Sequence, residues 1–195
     1  MSVSNILAVY QLAKTSEVIE GSQWYPTAKL VAERIASEYQ LPVSTVVGVI
    51  AALSPRNKWE RNLVDAENLI RVWSIDRESA DTVKVCTFGK NKAKAIRILD
   101  EQASYNDALT LLSGPKLKEF FICILGYDQD VCIDGHAYSI WAGDRITLNS
   151  IPNIGIKLRR EIKQAYVDAA KKVGIKPSEM QAITWCAWRR LHGVA

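Results

Sequence analysis

Histidine is scarce in this chain, with two in 195 residues, and cysteine is thinly spread as Cys86, Cys123, Cys132 and Cys186. No Cys-x-x-Cys pair occurs, and two histidines cannot complete a zinc-ligand spacing, so no metal site is expected. Cys123 and Cys132 lie inside apolar stretches, which predicts buried free thiols. The chain also has no glycine-rich phosphate loop, no nucleophile elbow and no carboxylate pair placed for glycoside hydrolysis. No apolar run approaches the roughly 20 residues that span a bilayer. The first residues, Met-Ser-Val-Ser-Asn, carry no basic patch ahead of an apolar core. A cytoplasmic protein with no membrane partner is the expectation. Internal repeats, low-complexity tracts and linkers are missing too.

What is present is ordinary globular material: 48% apolar residues, 24% charged and a net charge of +4. The length suits one domain over 1–195 with a proper core. The charge permits nucleic-acid binding without demanding it. Its cations gather in two segments: Lys84, Lys90, Lys92, Lys94 and Arg97, then Lys157, Arg159, Arg160, Lys163, Lys171, Lys172 and Lys176. Either segment reads as a binding patch or as a solvated helix face.

Apolar spacing predicts an all-α fold of about eight helices and almost no sheet. The first covers 4–19 and is interrupted at Gly21 to Pro26, with Pro26 opening the second. The third starts at Pro42, is apolar nearly all round, and so belongs in the middle of a bundle. It ends at Ser54-Pro55, because the residue before proline is pushed out of helical geometry. Asn57 and Glu60 have capping-box spacing for a fourth helix running to about Trp73. Residues 76–88 are irregular, with a short extended piece over 82–87. A fifth helix opens at Gly89, and a short one covers about 106–112. An amphipathic helix is predicted over 157–173, and a last one from Pro177, with Ser178 and Gln181 as its capping box.

The chain is organised around 111–145. Ser113-Gly114-Pro115 breaks one apolar run and feeds a helix carrying Phe120, Phe121, Ile124 and Leu125, which Gly126 ends. After the apolar stretch 131–133, Asp134 is placed to cap a helix over 135–142. Lys116 and Asp134 therefore each stand at a helix start. The positive end of the helix dipole favours an ionised carboxylate there and eases proton loss from an ammonium.

Gly114, Lys116 and Ile133-Asp134-Gly135-His136, in that order, resemble the core of the helix-hairpin-helix DNA glycosylases, the superfamily of endonuclease III and the 8-oxoguanine glycosylases. The resemblance implies a helical glycosylase-like domain acting on duplex DNA with an altered base, as a monomer and without a bound cofactor. It also implies catalytic roles for Asp134, in support of glycosidic bond cleavage, and for Lys116, as an attacking amine. Leu112 stands where the family has its first hairpin glycine. Cys186 alone cannot supply the four-cysteine iron–sulfur cluster of some relatives. Leu53-Ser54-Pro55-Arg56-Asn57 resembles the segment whose glutamine enters the DNA helix, with Arg56 at that place. Gly89-Lys90-Asn91-Lys92-Ala93-Lys94 resembles the helix preceding the hairpin.

Each residue also has a plainer reading. Asp134 could be only an N-cap. Lys116, or Lys118 beside it, could bind phosphate rather than attack the sugar. His136 could touch the DNA backbone, orient Asp134, or serve as a local hydrogen-bond partner. Arg56 could fill the gap left by an extruded base. Alternatively, Arg56 and Lys58 are surface charges beside a capped helix. Gln23, Trp24 and Tyr25 form either a wall for a flipped base or a packing lid. Gly114 completes the DNA-contacting set, with Arg56, Asn57, Lys58, Lys118 and His136. An inactive DNA-binding module is the alternative to an enzyme. A third reading is a base-modifying relative acting on unusual phage-type bases, for which Asn57 and His136 would matter.

Overall fold

The structure, a computed structural model, describes residues 2–193. The fold is all-α: the described residues form ten α-helices and two 3-10 turns, and no strand. Two compact units divide the chain, one of Met1–Thr27 with Gly126–Ala195 and one of Ala28–Leu125.

The first unit holds α1 (Ser2–Gln11), the opening turns of α2 (Thr15–Tyr39), α8 (Gly135–Ala142), α9 (Ile156–Val173) and α10 (Pro177–His192). Its core joins Ile6 and Val9 of α1 to Val131 and Ile133, to Tyr166 of α9, and to Met180 and Trp188 of α10. Tyr166 is wholly buried and its hydroxyl donates to the Ala137 carbonyl at 3.3 Å. Burial pushes that hydroxyl's pKa up, since no water would solvate a phenolate there.

The second unit is built on α3 (Val43–Leu53), against which α4 (Trp59–Ile75), α5 (Gly89–Asp100), α6 (Tyr105–Leu111) and α7 (Pro115–Ile124) pack. Every residue of α3 from Thr45 to Leu53 is buried. Each of its large side chains contributes about 1.5–3 kcal/mol by leaving water. The polar Thr45 is accommodated because its hydroxyl donates to the Ala103 carbonyl at 3.1 Å.

Several local expectations are corrected. The first interruption falls at Leu12–Lys14, not at Gly21–Pro26, and α2 runs through Pro26 without a stop. Lys14 is tied there by its N–H, which donates to the Glu17 carboxylate at 2.8 Å. Gly21 serves packing instead: a Cβ on it would lie 2.5 Å from the Ile183 backbone. Val83 is extended, but no strand forms over 82–87. The backbone there is satisfied by side chains: Lys92 donates to the carbonyls of Asp81 and Val83, and the Cys86 N–H donates to Asp65. Asn57 does not cap α4, because its amide turns to the Asp65 carboxylate at 3.0 Å. Gln181 does not box with Ser178 either. Glu179 accepts from the Lys176 N–H at 3.1 Å, and Gln181 is buried in another bond.

Candidate functional site

In the first unit the segment leading to Asp134 is clamped from two helices. Lys176 pairs with Asp128 at 2.9 Å, Lys163 with Asp130, and Arg159 donates to the Ile133 carbonyl at 3.1 Å. The Lys176 ammonium holds the Asp128 carboxyl below its ordinary range. Three cations of the 157–176 cluster are therefore structural, whatever the rest of that cluster does. Beyond the clamp, Asp134 is half-buried in extended backbone and caps α8, accepting the Ala137 N–H at 2.8 Å. One carboxylate oxygen is thereby fixed at a helix N-terminus. His136, half-buried, follows in the first turn of α8. Burial, together with the positive charge of Arg145, lowers the pKa of His192, whose carbonyl accepts from Arg145 at 3.0 Å.

Of the three residues expected to wall a base, Gln23 is exposed, Trp24 half-buried and Tyr25 buried. The Tyr25 hydroxyl donates to Gln181 Oε1 at 2.7 Å. Trp24 meets Tyr25 edge-on at 5.1 Å and Trp185 edge-on at 6.1 Å. The Arg189 guanidinium stands 4.4 Å over the Trp185 ring. Neither Trp185 nor Arg189 stood among the residues the sequence singled out. The i, i+4 spacing of an indole and a guanidinium was the available signal.

The second unit gathers the other sequence-selected residues. Ser54-Pro55-Arg56-Asn57 closes a turn through the Asn57 N–H on the Ser54 carbonyl at 3.2 Å. Arg56, at φ +56°, occupies a left-handed position that normally favours glycine or asparagine. Beneath the turn lies Asp65, 1% exposed and absent from the sequence-derived set. Its carboxylate accepts from Arg61 Nε at 2.6 Å, from Asn57 at 3.0 Å and from the Cys86 N–H at 2.7 Å. Thr87 donates to the Pro55 carbonyl at 2.9 Å, and Asn91 to Thr87 at 2.9 Å. The loops bearing Arg56 and Phe88 are thus held as one piece.

Farther along the same unit, Leu112-Ser113-Gly114 joins α6 to α7, and both helices pack on α3. Gly114 takes φ +86° as the N-cap of α7, and a Cβ there would meet nothing, so only the backbone angle calls for glycine. Leu112 is fully buried and anchors the turn in the core. Lys116 is exposed and Lys118 half-buried in the first turn of α7. Lys94 of α5 donates to the Ser113 hydroxyl, tying α5 to that turn.

A family model described as "Family of unknown function (DUF7178)" matches residues 1–192. The chain belongs to that family. No curated protein and no solved structure matches it. In this DUF7178 chain, Asp134 and His136 share one helix start, and Gln23, Trp24 and Tyr25 lie in the same unit. Arg56, Asn57, Lys58, Gly114, Lys116 and Lys118 fall in the other unit, so Asp134 and Lys116 are divided between the two. Among the described residues no group of three or more His, Cys, Asp or Glu side chains could hold a metal ion, and no single helix is long and apolar enough to cross a membrane.

Proposed function

We propose that this DUF7178 member is a helix-hairpin-helix glycosylase-like domain that releases an altered base from DNA. The observation that carries the reading is Asp134. It is a half-buried carboxylate, fixed by the α8 cap at 2.8 Å behind a segment that three cations clamp. Cleaving an N-glycosidic bond sends the bond's electron pair out with the base and leaves positive charge on the sugar. A preorganised carboxylate in a water-poor site stabilises that charge, and water then adds at the sugar carbon and gives up a proton. The turn before α7, with Gly114 at φ +86° and Lys116 and Lys118 in the helical turn after it, supports DNA as the partner.

The burial of Leu112 favours a second reading. The Leu112 N–H is already given to the Ala108 carbonyl at 2.8 Å, so this turn offers a phosphate fewer backbone N–H groups, as in a binding module without chemistry. The test incubates the protein with duplexes each carrying one altered base and reads released bases by mass spectrometry, with and without borohydride. Base release supports the glycosylase. A borohydride-trapped adduct that is lost in Lys116→Ala adds an amine-mediated step. Affinity for every duplex with release from none leaves the binding module.

A further inference from the structure

Phe88 is a large apolar side chain left 48% exposed, at the N-cap of α5. The Arg56 guanidinium lies 5.4 Å from its ring centroid and the Lys90 ammonium 5.9 Å. Lys94, one helical turn beyond Lys90, continues the cationic line to Ser113. Among the described residues no carboxylate pairs with Arg56, Lys90 or Lys94, whereas Arg61, Lys92 and Arg97 nearby each have one. The exposed ring is therefore ringed by unneutralised positive charge, which suits a polyanion carrying flat apolar groups.

We infer that Phe88 is a stacking platform for one unpaired DNA base, with Arg56, Lys90 and Lys94 on the flanking phosphates. The inference rests on the DNA partner of the glycosylase reading. It moves the aromatic contact to a residue that the sequence did not single out. An exposed cation–π contact is worth about 0.5–1 kcal/mol, whereas base–aromatic stacking is worth about 1–3 kcal/mol. A base therefore displaces a cation from the ring, and the displaced cation gains a phosphate. The platform is also preorganised. Thr87 is bonded to Pro55, Cys86 to Asp65, and Asn57 to Asp65, so little loop ordering remains to be done on binding. Arg56 keeps a strained left-handed backbone at this spot, as residues at binding sites often do.

The experiment uses the full chain and a duplex containing one unpaired 2-aminopurine, following anisotropy and 2-aminopurine fluorescence together. Wild type is expected to quench the fluorophore. Phe88→Leu, which keeps the apolar volume, is expected to abolish the quench and weaken binding about 10-fold, while Phe88→Trp retains both. Arg56→Gln and Lys90→Gln are each expected to lower the salt slope by about 1 and leave the quench. Wild-type affinity and quench in Phe88→Leu overturn the inference. So does a loss that is equally large on a fully paired duplex, because that loss is not stacking. Assaying wild type for base release beside the quench separates the two claims. Quench without base release sinks only the glycosylase, and release without quench sinks only the platform.

Discussion

At Asp134 the cap and the charge can be separated. Asparagine caps a helix about as well as aspartate, whereas alanine costs about 1 kcal/mol. Urea unfolding should therefore show Asp134→Asn within a few tenths of a kcal/mol of wild type and Asp134→Ala about 1 kcal/mol below it. Asp65 answers differently. Asp65→Ala leaves Arg61, the Asn57 amide and the Cys86 N–H without their acceptor, and a loss of about 3 kcal/mol is expected in the same assay. The two residues also differ in how they read. Asp134 was legible because aspartate before a short helix, after an apolar run, is a cap signal with only local partners. Asp65 was not, because two of its partners stand 8 and 21 residues away, and a lone aspartate in an amphipathic helix looks like a solvated one.

Among the elements, α3 was legible from composition alone, since a helix apolar on every side has no place except the centre of a bundle. The fault line in α2 was misread because glycine and proline are punctuation in sequence but not always in structure. Gly21 permits the approach of the Ile183 backbone, a tertiary requirement that no local pattern carries. Gly21→Ala is expected to destabilise by about 1–3 kcal/mol, measured by thermal or urea unfolding, because the clashing atoms are backbone and cannot swing aside. The two expected capping boxes that do not form share one cause. Asn57 and Gln181 found buried partners, Asp65 and Tyr25, that outcompeted exposed helix ends.

For the whole molecule the charge map is what changes on folding. The 157–176 cluster looked uniform in sequence, yet Arg159, Lys163 and Lys176 are spent on the segment before Asp134. Which cations remained for a partner depended on where acids from 128 and 130 fell. Acid stability carries a similar signature. Arg190 donates to Glu17 at 2.6 Å and to the Leu12 carbonyl at 2.8 Å, stitching the α1–α2 break to α10. That hydrogen bond holds the Glu17 carboxyl below its ordinary 4.5. Its folded-state pKa is thus depressed, so the stabilisation is fully present above 4.5 and is lost as pH falls below it. Urea midpoints followed downward from neutral pH should decline there in wild type and less steeply in Glu17→Gln.

The glycosylase reading turns on whether Asp134 supplies chemistry and not only a cap. It is tested most directly by the rate of free-base release, on the best substrate of the duplex panel, for wild type beside Asp134→Asn. Wild type is expected to release base and Asp134→Asn to release it at least 100-fold more slowly, on the order of removing one main electrostatic stabiliser, with DNA affinity and unfolding midpoint unchanged. Equal release by both proteins, or release by neither while both bind DNA, would contradict it.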